Sequence, residues 1–147
     1  MKCDIRECRL SDAEAISALS GQLGYPVGVE VIRERLQRLT RDSNHAVLVA
    51  CSPEGSVVGW MDVGIVFHLQ SGTYCEIGGL VVDESARKNG IGRELVAYAE
   101  RWAAEREVSR VLVRSNAKRA DAHRFYLREN YELVKTSAVF EKRLRKD

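Results

Sequence analysis

The chain has 147 residues, 23 of them basic and 21 acidic for a net charge of +2, and 45% hydrophobic content. That size and apolar fraction suit a single domain, 1–147, with its own core, and the scattered, nearly balanced charge gives no case for nucleic acid as a partner. No apolar run approaches the ~20 residues of a membrane-spanning helix, and the opening Met-Lys-Cys-Asp-Ile-Arg has no signal-peptide core, so a cytoplasmic protein with no membrane partner is expected. The four cysteines, Cys3, Cys8, Cys51 and Cys75, form no Cys-x-x-Cys pair and have no nearby histidine ligands. No metal is expected, free thiols fit a reducing compartment, and Cys75 reads as a buried strand residue sooner than as a nucleophile.

Residues 3–9 mix Cys3, Ile5 and Cys8 with charges, as an edge strand does. Ser11 and Glu14 have capping-box spacing, and Ile16, Leu19 and Leu23 continue as one helical face until Gly21, Gly24 and Pro26 close it, with Tyr25 exposed in the loop. Val29, Ile32, Leu36 and Leu39 predict a second helix. Residues 46–51 and 57–68 read as a hairpin around Ser52-Pro53-Glu54-Gly55, with Met61, Val63, Ile65 and Phe67 on one face, and Gln70-Ser71-Gly72 leads into a further strand, 73–82. Gly78-Gly79 within it signals a bulge or close backbone approach.

A third helix follows, with Ile91, Leu95, Val96, Ala99, Trp102 and Ala103 as its apolar positions, and residues 110–114 are a buried strand. Strand, helix and strand at this spacing form a βαβ unit, so the strands ending near Val82 and Val113 should lie parallel and side by side. A short helix spans 120–128, with Asn130 as its left-handed cap, and 131–134 and 138–144 are expected to form a closing hairpin. The expected fold is α/β (α+β), with a mixed, mostly antiparallel sheet of about seven strands and four helices.

The join between the fourth strand and third helix carries the chemistry. Arg87-Lys88-Asn89-Gly90-Ile91-Gly92-Arg93 places three cations and two glycines where the first N–H groups of a helix have no internal partner. Such a turn attracts phosphate, and the expected ligand is a pyrophosphate. A dinucleotide fingerprint would need a third glycine where Leu95 stands, and a Walker loop would need Gly-Lys-Ser/Thr where Gly92 is followed by Arg93-Glu94.

Arg87-Lys88-Asn89-Gly90-Ile91-Gly92 matches the Arg/Gln-x-x-Gly-x-Gly/Ala signature, directly after a Leu-Val-Val strand, and Ala122-His123-Arg124-Phe125-Tyr126 matches an Ala-x-x-Phe-Tyr element. On both, and on the order of elements, the chain resembles the GNAT superfamily of acetyl-CoA-dependent N-acetyltransferases. The resemblance implies the GNAT fold, with strands four and five parallel and splayed. It also implies acetyl-CoA as donor, direct transfer to a primary amine of a small molecule in a ternary complex, and a possible homodimer. An acceptor on a protein or peptide, and a non-catalytic acyl-CoA sensor, are the alternatives.

By the same resemblance the cofactor is held by Leu80, Val81 and Val82, by the turn residues Arg87, Lys88, Asn89, Gly90, Ile91, Gly92 and Arg93, and by Asn116, with Lys118, Arg119 or Arg124 at its 3′-phosphate. The Leu80 N–H is the expected donor to the thioester oxygen. Tyr126 is the expected acid for the leaving thiolate, since a phenol of pKa ~10 is comparable with a thiol of ~8.5. Glu76 is the base, a ligand for a cationic substrate or the partner of a nearby Arg, placed by strand alternation with Gly78, Leu80 and Val82 unless the bulge resets the register. Tyr25 and Glu30 are candidate acceptor contacts, while His45 and His123 read as structural.

Overall fold

The computed structural model describes residues 2–115 and 119–145. The chain forms two compact units, 1–114 and 115–147. In the first, the strands β1 (Asp4–Glu7), β2 (His45–Cys51), β3 (Val57–His68), β4 (Gly72–Val82) and β5 (Val111–Val113) form one sheet in sequence order. β1 to β4 are antiparallel, and β5 pairs parallel to β4, as the βαβ spacing predicts.

The helices α1 (Ala13–Gln22) and α2 (Val29–Leu39) precede β2, and α3 (Ile91–Glu105) joins β4 to β5. Both sheet faces are covered, so β2 reads as a continuous apolar run instead of an alternating one. On one face Ala13 and Ile16 of α1 and Ile32 and Leu36 of α2 pack with Val47, Val49 and Trp60. On the other, Ile91 and Leu95 of α3 close onto the backbone at Gly59, where an added Cβ would lie 3.5 Å from each. Leu48, Met61, Ile77 and Leu95 are fully buried, and each such side chain contributes roughly 1.5–3 kcal/mol.

α1 begins differently from the expectation. Ser11 does not cap it: Leu10–Asp12 is a 3-10 turn, and the buried Asp12 accepts from the Arg9 N–H at 2.7 Å and from both Arg6 guanidinium nitrogens at 2.8 and 2.9 Å. The cation on β1 and the Arg9 N–H together give Asp12 more than a hydroxyl cap at Ser11 would supply, and the helix start moves to Ala13.

The second unit contains α4 (Ala120–Arg128), followed by Asn130 at φ 68°, the expected left-handed cap. The expected closing hairpin is absent: residues 131–145 contain no strand, giving five strands among the described residues instead of about seven. Leu133, Val134, Val139, Phe140 and Leu144 are all exposed. Residue alternation makes a strand only where a ladder partner and a covering layer exist, and a two-stranded hairpin by itself is marginal in water.

Asp12→Ala should cost about 2 kcal/mol in urea denaturation, since it leaves the Arg6 charge and the Arg9 N–H without their acceptor. Hydrogen bonding from Arg6 holds the Asp12 carboxyl below its ordinary 3.8. Its contribution is therefore complete above that value and lost as pH falls through the lower, folded-state pKa, so the gap between wild type and variant should narrow in acid.

Candidate functional site

One extra residue in β4 positions the site. Asp62 pairs with Gly79 and Val63 with Ile77, so Gly78 is the inserted residue and the expected bulge lies there. The insertion resets the alternation. Opposite residues share a face, so Glu76 lies with Gly64, Asp62, Trp60 and Val81, whereas Leu80 and Val82 lie with Met61 and Gly59. The expectation that Glu76 shares the face of Leu80 and Val82 is thereby corrected.

Among the described residues the parallel ladder to β5 ends at Ile77↔Val113, leaving Gly78–Val82 without a strand partner on that side. The Asp83 N–H bonds to the Val58 carbonyl at 2.8 Å, so Asp83 faces β3. Counting back by alternation, the main chain of Val81 also faces β3, while Leu80 and Val82 direct theirs outward. The Leu80 N–H therefore points away from β3. Val81 offers a ligand neither its main chain nor its side chain, which is buried. The outward Val82 carbonyl accepts from Arg87 Nε at 3.2 Å, which fixes Arg87 at the end of β4.

The turn that follows is pinned from inside. Asn89 Nδ2 donates to the Ala86 and Arg87 carbonyls at 2.9 and 3.2 Å, and Gln22 of α1 accepts from the Glu84 N–H at 3.0 Å. Lys88 and Gly90 both hold left-handed backbone, φ 68° and 76°, and Gly90 precedes α3 with no side-chain cap. Left-handed residues next to a helix start aim successive N–H groups into one concavity, which suits an anion. A Cβ on Gly90 would meet nothing within 4 Å, so its position is open. The Ile91 side chain is buried in the core and offers only its N–H. These residues fit the diphosphate of acetyl-CoA.

A cleft of about 190 Å³ lies under α1 and α2, lined by Ile16, Tyr25, Ile32, Arg35, Trp60 and Asp62 among others. Tyr25, a candidate acceptor contact, is 65% exposed and lines it. Glu30 does not: it pairs with Arg33 one turn along α2, with its side chain 82% exposed. Glu76 is held by Arg114 Nε at 2.8 Å. Hydrogen bonds with Tyr74 and then Glu76 push the Arg114 pKa up. Burial raises the Cys75 thiol to about 11, in keeping with a structural cysteine.

In the second unit, Tyr126 packs edge-on against Phe125 and Tyr131, and burial raises its phenol to about 12 against the opposing charge of Arg119. Arg119 precedes α4, and Arg124 pairs with Asp121. Asn116 and Lys118 lie outside the described residues.

Residues 13–131 match the model of the acetyltransferase (GNAT) family. The chain belongs to the GNAT acetyltransferase family. It is 33% identical over 132 residues to an aminoalkylphosphonate N-acetyltransferase of Salmonella typhimurium, covering 88% of this chain and 85% of that protein. It is 29% identical over 109 residues to an aminoglycoside N(6′)-acetyltransferase type 1 of Klebsiella aerogenes, covering 70% and 60% respectively. Its fold is similar to that of AAC(6′)-Iy in complex with the bisubstrate analogue CoA-S-monomethyl-acetylneamine, with a TM-score of 0.85 at 18% identity over 97% of this chain and 99% of that one.

Within this GNAT chain, sequence reading missed a pair on the cleft. Asp62, whose side chain is 33% exposed, bonds to His45 Nε2 from the neighbouring strand. Asp62 and His45 are 17 residues apart on different strands, so only the β2–β3 register brings them together. Trp60 on the same face has its indole N–H buried without a partner among the described residues. For the turn, Gly90→Ala should cost about 1 kcal/mol in denaturant unfolding, because alanine resists the left-handed backbone that glycine adopts freely.

Proposed function

We propose that this chain transfers the acetyl group of acetyl-CoA directly to a primary amine of a small molecule, both substrates being bound together. The observation that carries this reading is the left-handed glycine turn at the start of α3, directly after a strand whose last residues have no partner on the β5 side among the described residues. The small-molecule acceptor is supported by the names of the curated relatives, an aminoalkylphosphonate and an aminoglycoside acetyltransferase. The bisubstrate analogue in AAC(6′)-Iy joins CoA to an acceptor, which supports direct transfer.

When bound, acetyl-CoA supplies a thioester whose carbonyl carbon is open to an amine. In our reading Arg87, Lys88 and the N–H groups of Gly90 to Arg93 hold the diphosphate, and Arg119 and Asn116 hold other parts of the cofactor. The outward main chain of β4 pairs with the pantetheine amides as an added strand would, and the Leu80 N–H donates to the thioester oxygen as charge develops on it. Glu76 takes the proton that the acceptor ammonium must lose, directly or through water, and Tyr126 donates a hydrogen bond to the departing sulfur.

Calorimetry should show acetyl-CoA binding that weakens about tenfold in Arg87→Ala/Lys88→Ala, the equivalent of ~1.4 kcal/mol. Absence of binding in the wild type would end the transferase reading. In a thiol-release assay against small amines, Tyr126→Phe should lower kcat by 10²-fold or so with the acetyl-CoA KM within a factor of ~2. An unchanged kcat would remove Tyr126 from the reaction.

A further inference from the structure

Resting on that reading and extending it to the acceptor, we propose that Asp62, oriented by His45, is the carboxylate that holds the acceptor's ammonium group in the cleft under α1 and α2. Asp62 lines this cleft with one cation, Arg35, and apolar walls that include Ile16 and Ile32. An ammonium entering such walls needs a fixed counter-charge, because its hydration is lost on the way in.

The surrounding backbone is shaped for this pair. A Cβ on Gly64 would lie 2.7 Å from His45 Nδ1, and one on Gly78 would lie 3.0 Å from Asp62 Oδ2. Two glycines on two strands thus leave room for one imidazole and one carboxylate, and the second is the bulge residue itself. Asp62 Oδ1 faces His45, while Oδ2 lies beside the bulge. Glu76, the other carboxylate on this face, has its charge offset by Arg114. Among the described residues Asp62 is paired with the imidazole, which is neutral in one of its two states. The cleft therefore presents a carboxylate whose neutralisation depends on the charge of one imidazole, and the acceptor class it suits is a small primary ammonium.

His45 is a positioning residue with its own signature. Its hydrogen bond to Asp62 raises its pKa against the opposing effect of burial, with Asp42 adding to the rise. The other charged groups bearing on the pair are Glu76 with Arg114 from β4 and the end of β5, and Arg35 from α2. While His45 is charged, the pair is neutral overall. Once it loses its proton, the pair carries one negative charge, so ammonium binding should strengthen as pH rises through the His45 titration.

The test is an NMR titration of the full chain with propylamine, following the Trp60 indole N–H and the backbone amides that line the cleft, with no dependence on turnover. A saturable shift is expected, with apparent affinity rising with pH through the His45 titration. Asp62→Asn, which keeps the shape, should weaken it at least tenfold with an unaltered melting temperature, and His45→Gln should retain binding but lose the pH dependence. No saturable shift in the wild type, or loss of binding in Glu76→Gln with none in Asp62→Asn, would overturn the proposal. Acetyl-CoA calorimetry on the same samples separates the two ideas: a chain that binds propylamine through Asp62 but ignores acetyl-CoA overturns the transferase reading alone, and the converse overturns only this one.

Discussion

The inserted residue at Gly78 is the constraint on which the site's arrangement depends. With one residue of β4 unmatched against β3, the strand is divided into two stretches whose side chains are out of phase. Before the bulge, Cys75 and Ile77 face the core layer shared with Val63; after it, that layer receives Leu80 while Val81 turns to the layer of Trp60. A bulge also adds twist to the strand that carries it. The β4–β5 ladder stops at Ile77, one residue before the insertion, so a main-chain edge that a regular sheet would consume is left to pair with something else. Extending that ladder as far as Leu80 would occupy its N–H and remove the added-strand docking on which cofactor binding is proposed to rely.

The same insertion sorts the charges. Cations gather where the outward edge of β4 ends: Arg87 is fixed on the Val82 carbonyl, and Lys88 and Arg93 flank the start of α3. Carboxylates gather on the side-chain face under α1 and α2, where Asp62 and Glu76 stand on adjacent strands. One strand thus offers an anion site through its end and a cation site through its face. At an effective dielectric near 20, unit charges 4 Å apart interact by ~4 kcal/mol, so mixing the two groups on one surface would let them neutralise each other. Separating them by strand edge and strand face keeps both available to ligands of opposite sign.

Much of this was legible in the residues. Helices α2 and α3, the β2–β3 hairpin, the parallel β4–β5 pairing and the bulge all follow from period, glycine placement and connection length. What failed shares a cause, dependence on partners distant in sequence. Ser11 loses the helix start because Arg6 comes from β1, and the closing hairpin fails because alternation says nothing about whether a third strand is there to receive it. Glu30 looked like a cleft residue from its place after the Tyr25 loop, but the helical angle that puts Ile32 and Leu36 inward puts Glu30 outward, beside Arg33. The pairing of Asp62 with His45 escaped notice because His45, at the start of an apolar strand, reads as structural and Asp62 reads as one polar residue of an alternating strand. Their meaning arises only when register places them together between two glycines.

The environment of Tyr126 narrows the role proposed for it. From the sequence, phenol and thiol were comparable acids, which made full proton donation to the departing sulfur plausible. Burial moves the phenol to about 12, and against a thiol near 8.5 a complete transfer would run uphill by about 3.5 units, roughly 5 kcal/mol. A hydrogen bond that strengthens as charge gathers on sulfur needs no such transfer and still favours the transition state over the ground state. The proton that ends on the thiol is then better drawn from the attacking nitrogen, which becomes strongly acidic once it is bonded to the carbonyl carbon. On that division Tyr126 steadies the leaving group without titrating, and whatever pH dependence the reaction has comes from the acceptor side, where an ammonium must lose its proton before it can attack.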